Sequence, residues 1–174
     1  VIAVGGEHVS NDISVGLKLS NARAEKLKLE HGAALPDPSA HGRTVSFTSD
    51  VGLDNRTVSV SHLHQVMHAR LEELLMLIRD DLAREGLLTH LCAGVVLTGG
   101  GARVPALERL ATQVFQASVQ TARAKVGSGP SSILDEPECS TALGLVKLGA
   151  QQRATPNQSR TGVFDWLAGK LVGA

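Results

Sequence analysis

The sequence has no excess of charge of either sign: 17 Lys and Arg stand against 17 Asp and Glu. Nucleic-acid binding needs concentrated positive charge, so DNA or RNA is not expected as the main partner. Cysteine is scarce as well. Cys92 and Cys139 lie far apart without metal-type spacing, and two thiols in 174 residues suit a reducing cytoplasm. No apolar run approaches the roughly 20 residues of a membrane-spanning helix; the longest lies at 93–98. Neither a secretory leader nor an initiator methionine opens the chain. It starts Val-Ile-Ala-Val-Gly-Gly, like a strand entering a turn, and a fragment of a longer protein is expected. There is no internal repeat. A hydrophobic content of 43% is ordinary for one compact domain or two small lobes.

What is present is alternation. Residues 1–4 read as a strand, and a helix is expected over 12–19 with Val9, Ile13 and Leu17 on one side. A charged helix follows over 22–31, preceded by the capping pair Ser20 and Asn21 and stopped by Gly32. Pro36 and Pro38 make 35–42 a loop. Strands are expected at 44–47 and 57–60, joined by a polar turn through Asp50, Gly52 and Asn55. Ser61 then caps a helix to about residue 85, with Leu63, Val66, Met67, Leu71, Leu74, Leu75, Ile78 and Leu82 at helical spacing. A buried-type strand at 93–98 leads into Gly99, Gly100 and Gly101. Pro105 opens a helix to 115 whose Leu107, Leu110, Ala111 and Val114 face inward. A strand at 119–123, a loop at 128–137 and a small-residue helix at 140–149 complete an α/β pattern with a largely covered sheet. Residues 151–162 are polar, contain Pro156 and read as a linker.

Two constellations carry chemistry. In Leu97-Thr98-Gly99-Gly100-Gly101-Ala102 a strand runs into backbone without side chains and then a helix start. Such a turn lets a flat ligand lie on bare backbone near unpaired N–H groups, and it equally serves as a plain tight turn. It is neither a Walker loop nor a complete G-x-G-x-x-G fingerprint. Glu25 and Lys28, three apart on a helix, share one face. They can grip ribose hydroxyls and a base edge or phosphate, or form a solvated ion pair. His64, His68 and Glu72 have metal-ligand spacing on the long helix, but a solvated helix face is expected there and no metal is assigned.

In their order, four motifs resemble the second half of the cell-division protein family FtsA. They are Gly5-Gly6-Glu7-His8-Val9-Ser10-Asn11-Asp12-Ile13, Ala24-Glu25-Lys26-Leu27-Lys28 ending at His31-Gly32, Ala93-Gly94-Val95-Val96-Leu97-Thr98-Gly99-Gly100-Gly101-Ala102, and Pro137-Glu138-Cys139-Ser140-Thr141-Ala142-Leu143-Gly144-Leu145. The resemblance covers essentially the whole chain. It implies an actin-like (ribonuclease H-like) fold. A lower lobe (IIA) would comprise 1–19 and 87–150, and an upper lobe (IIB) 20–86. It also implies ATP as cofactor, with Gly99, Gly100, Gly101 and Ala102 as the adenosine loop and Glu25 and Lys28 meeting the nucleoside from the upper lobe. Cys139 stands where the family usually carries an aromatic residue. The phosphate and Mg loops belong to the first half, so no catalytic residue is named and activity is at most a slow ATPase of the full-length protein. Arg70 would receive the acidic-hydrophobic tail of FtsZ, a guanidinium being suited to a carboxylate; the alternative is an intrahelical pair with Glu73. The implied role is an adaptor that polymerises with itself and tethers the FtsZ ring, on the cytoplasmic face of the bacterial inner membrane at the division site. A superfamily kinase and a pilus-assembly adaptor are the rival readings, and a kinase leaves the linker and tail without a task.

The tail supports a membrane role in this context. At about 100° per residue, Val163, Phe164, Leu167, Leu171 and Ala174 fall on one arc, with Asp165 and Gly169 opposite. Trp166 and Lys170 sit at the boundary, where an indole and a snorkelling ammonium are comfortable. An amphipathic membrane-targeting helix is therefore expected over 163–174, with Val163, Phe164, Trp166, Leu167, Lys170 and Leu171 in contact with lipid. Docking on its own or a partner domain is the alternative.

Overall fold

A computed structural model describes residues 2–48, 55–122 and 135–154. The predicted tail helix, the linker beyond Ala154 and the turn through Asp50 and Gly52 lie outside the described residues. Helices α1 (Gly6–Leu17) and α2 (Asn21–His31) come first, followed by strands β1 (Thr44–Thr48) and β2 (Asn55–Ser59) and the long helix α3 (Val60–Arg84). Strand β3 (Val95–Leu97), helix α4 (Leu107–Phe115), strand β4 (Val119–Thr121) and helix α5 (Ser140–Ala154) complete the order.

The start of the chain departs from the sequence reading. Residues 2–4 form no strand, and α1 begins six residues before the expected position 12. The helix has no Ser, Asp or Asn cap. Instead the Gly5 N–H donates to the His8 imidazole Nδ1 at 3.2 Å, satisfying a terminal donor in a way that composition does not advertise. Val9 and Ile13, one turn apart, are buried. The helix ends where Lys18 turns left-handed and the N–H groups of Lys18 and Leu19 close onto Val15 and Ser14 carbonyls.

Gly32 ends α2 at a place where the chain passes close to α3. A Cβ there would collide with the Lys28 carbonyl and stand 2.6 Å from the Met67 sulfur. β1 and β2 pair antiparallel with Val45 opposite Val58 and Phe47 opposite Arg56. Ser59, not Ser61, caps α3: its hydroxyl accepts from the His62 N–H at 3.4 Å, so strand passes to helix without a loop. Leu63, Met67, Leu71 and Leu75 form the buried stripe of α3, as the spacing predicts, and Val60, expected to end the strand, joins it as the first residue of the helix.

β3 and β4 run parallel, Val95 opposite Val119 and Leu97 opposite Thr121, with α4 as the crossover. Leu107, Leu110, Ala111 and Val114 of α4 are buried as expected, and Phe115 joins them. These side chains form one apolar core with Val9, Ile13, Leu27, Leu63 and Met67, so both sequence-assigned lobes contribute to it. Full burial of Leu63 or Leu110 stabilises by about 1.5–3 kcal/mol each. α5 runs on through Ala154, making the first four residues of the expected linker helical. Gln151, Gln152 and Arg153 are good helix formers, and Pro156 is the first residue that opposes continuation.

Candidate functional site

The turn after β3 is set by Gly99, whose φ of 85° favours glycine. Its N–H donates to the Pro137 carbonyl at 3.0 Å, and its carbonyl accepts from Ala102 at 3.1 Å. Gly100–Arg103 then makes a single tight turn that buries Ala102 and leaves Gly100 and Gly101 exposed. A Cβ on Gly101 would meet nothing within 4 Å, and one on Gly100 only the Glu138 Cβ at 4.0 Å. The bare backbone therefore borders open space. The segment at Pro137 forms a flanking wall: Thr98 Oγ1 lies 2.7 Å from Ser140 Oγ, and Arg103 Nη1 donates to Glu138 Oε1 at 2.6 Å.

Across the cleft, α2 presents Glu25 and Lys28. Lys28 Nζ donates to Glu25 Oε2 at 2.6 Å, to Ser10 Oγ at 2.8 Å and to the Gly6 carbonyl at 3.1 Å. Ser10, buried on α1, also bonds Glu25 Oε2 through its hydroxyl. Lys28 is mostly covered, its side chain 12% exposed, whereas that of Glu25 is 46% exposed. The Lys28 ammonium, then the Ser10 hydroxyl, hold the Glu25 carboxyl below the ordinary carboxylate value, so it is ionised at neutral pH.

A cavity of about 850 Å³ joins the two sides. Glu25 and Lys28 line it together with Gly100, Gly101 and Ala102, while Met67, Leu71 and Leu75 of α3 supply apolar lining. An apolar cleft with a few convergent polar groups is the usual form of a small-molecule site. Gly99 does not line the cavity; it shapes the turn that does. Glu25 and Lys28 also line a second recess of about 910 Å³, together with Glu7, His8, Asn11 and Asn21.

Sequence reading missed Ser10. Its position four residues after Gly6 places it one turn along α1, but adjacent glycines at 5 and 6 signal a turn rather than a helix start. Arg70 lies in contact with α1. It donates through Nε and Nη2 to the Asp12 carboxylate, the latter bond at 3.0 Å, and through Nη1 to Glu73 at 2.6 Å. The Glu73 pair was one of the expected alternatives; Asp12 was not foreseen. His64 and His68 do not form a solvated face. His64 is 5% exposed with Nε2 2.9 Å from the His31 carbonyl, and His68 Nδ1 lies 2.9 Å from the Ala34 carbonyl. Packing of α3 against the end of α2 turns the His64 ring inward, while His68 stays partly exposed with Nε2 3.7 Å from Glu72 Oε2. Among the described residues no group of three or more His, Cys, Asp or Glu side chains is placed to hold a metal, and no helix is long and apolar enough to cross a membrane. The tail residues Val163, Phe164, Trp166, Leu167, Lys170 and Leu171 lie outside the described residues.

The architecture is that of an actin-like protein. MreB5 of Spiroplasma citri bound to ADP superposes with a TM-score of 0.65 at 18% identity, over 90% of this chain and 47% of that one. MreB 5 of the same organism bound to AMPPNP gives 0.63 at 16% identity, over 88% and 46%. At such identities the likeness speaks for the fold alone. Within that class, the profile of the family described as cell division protein FtsA matches residues 1–144, and the chain belongs to that family. The cell division protein FtsA of Rhizobium meliloti is 32% identical over 172 residues, 97% of this chain and 39% of the relative. Those of Pseudomonas aeruginosa and Bacillus subtilis are 30% and 32% identical, over 88% and 87% of this chain. The chain spans between 33% and 39% of the length of these relatives.

Proposed function

We propose that the full-length protein to which this chain belongs binds ATP in the cleft between α2 and the glycine turn. It would act as an actin-like adaptor of cell division that assembles with itself under the membrane and tethers FtsZ. The observation that carries the ATP reading is the shared cavity: an acid–base helix on one side and side-chain-free backbone on the other, 72 to 76 residues apart in sequence, line one space. That space fits a nucleoside. Gly100 and Gly101 leave room for a flat base, the apolar side chains of α3 suit its faces, and ionised Glu25 accepts hydrogen bonds from hydroxyl groups. The two solved MreB structures hold ADP and AMPPNP, consistent with a nucleotide in this fold.

The residues described contribute nucleoside contacts, and no catalytic role or Mg ligand is assigned to them. Any slow ATP turnover and its Mg belong to the remainder of the full-length protein. Self-assembly, FtsZ binding at Arg70 and membrane attachment through 163–174 rest on family membership and on the amphipathic arc of the tail.

ATP binding by the full-length protein with Gly100→Val tests the site. A Cβ at Gly100 meets protein only at 4.0 Å, so the fold accommodates the valine while its branches enter the cleft. Calorimetry is expected to show at least a tenfold loss of affinity, about 1.4 kcal/mol; undiminished affinity rejects the placement.

A further inference from the structure

We infer that Ser10 is a positioning residue for this cleft: from α1 its hydroxyl holds Glu25 and Lys28 in one arrangement, and ligand affinity depends on that hold. The inference rests on the ATP reading and adds to it a residue that does not border the glycine turn.

The bonding closes on itself. An ammonium has three protons, and those of Lys28 go to the Gly6 carbonyl, Ser10 Oγ and Glu25 Oε2. A serine hydroxyl has one proton, and both the Gly6 carbonyl at 3.0 Å and Glu25 Oε2 are within its reach. The ionised carboxylate is the stronger acceptor and takes it. Lys28 is thereby a strut with its donors engaged, and Glu25 is the side chain left to read a ligand. Every bond Glu25 makes among the described residues runs through Oε2.

Without the serine hydroxyl, Lys28 keeps its bond to the Gly6 carbonyl, but Glu25 keeps only its i,i+3 pair with Lys28. Glu25 is nearly half exposed, and such pairs hold their side chains loosely. Ser10 has the opposite character. It is buried beside Val9 on a helix whose Val9 and Ile13 anchor in the core, so its Oγ occupies a fixed point. Alanine leaves that packing intact and removes only the hydroxyl. The carboxyl of Glu25 also reports the contact directly, since the Ser10 bond is the second cause of its lowered pKa.

The test uses the full-length protein and ATP. Ser10→Ala is expected to weaken ATP binding by about 3- to 10-fold, the scale of one hydrogen bond, in a protein that stays fully folded at the assay temperature. Ser10→Thr, which keeps the hydroxyl, is expected to restore it. In a Glu25→Ala background, Ser10→Ala is expected to cost nothing more. An equal loss in both backgrounds marks a merely structural role and overturns the inference, as does wild-type affinity in Ser10→Ala. Gly100→Val serves as the control for the ATP reading, which fails if that variant binds like wild type. The Ser10 claim then still stands or falls on selectively ¹³C-labelled glutamate: an upward shift of the Glu25 titration in Ser10→Ala upholds the hold on Glu25, and an unmoved titration overturns it.

Discussion

Three glycines separate conformational need from steric need. Gly32 has no room for a side chain, because a Cβ would strike the Lys28 carbonyl and crowd the Met67 sulfur. Gly32→Ala must therefore spread α2 from α3, and a loss of about 1–3 kcal/mol is expected in thermal or urea unfolding. Gly99 has room but a φ of 85°, so alanine there is strained by about 1–2 kcal/mol. Gly100 has neither restraint, and Gly100→Val is expected to change stability by less than about 0.5 kcal/mol while blocking the cleft. Glu25 gives a pH signature. Its folded-state pKa is depressed, so its contribution is complete above the ordinary value of 4.5 and is lost as pH falls through the folded value. Melting temperature should show an acid limb below that value, and Lys28→Met should flatten it, since Lys28 is the leading cause of the shift.

At the scale of elements, α1 links two sites. Ser10 reaches the Glu25–Lys28 pair, and two residues on Asp12 grips Arg70 of α3. The guanidinium proposed to receive an acidic tail is already held by a carboxylate, and a peptide must displace it. Asp12→Asn is expected to tighten FtsZ-tail binding by about two- to tenfold, because the competent form of Arg70 is then more populated. Arg70→Glu is expected to weaken it while sparing ATP. Anisotropy with a labelled tail peptide decides, and no change in either variant removes Arg70 from that role. The same element shows where sequence is opaque. α3 and α4 were legible because their apolar residues recur at helical spacing, and α2 because its charged run follows Ser20 and Asn21 and stops at Gly32. The start of α1 was not, since its cap is an imidazole behind two glycines that read as a turn. The glycine turn and the Glu25–Lys28 face were visible as local patterns. Their third member was not, because the Ser10–Lys28 bond joins residues 18 apart and the Asp12–Arg70 bond residues 58 apart. Such pairs follow from helix packing, which no local spacing encodes.

At the scale of the whole molecule, the proposed attachment to membrane depends on number. Four or five apolar side chains of 163–174 entering lipid contribute about 1.5–3 kcal/mol each. Ordering a 12-residue segment as a helix offsets most of that gain, so one tail holds weakly. Copies joined in a filament convert each later insertion into an intramolecular event and raise avidity by about 10²–10⁴. Sedimentation of the full-length protein with vesicles of anionic lipid should therefore rise steeply with protein concentration rather than along a single-site curve. Leu167→Glu places a charge at the centre of the apolar arc and is expected to abolish sedimentation at every concentration, leaving ATP affinity unchanged. A single-site curve argues against arrayed attachment, and Leu167→Glu that still sediments assigns the contact to another surface of the protein.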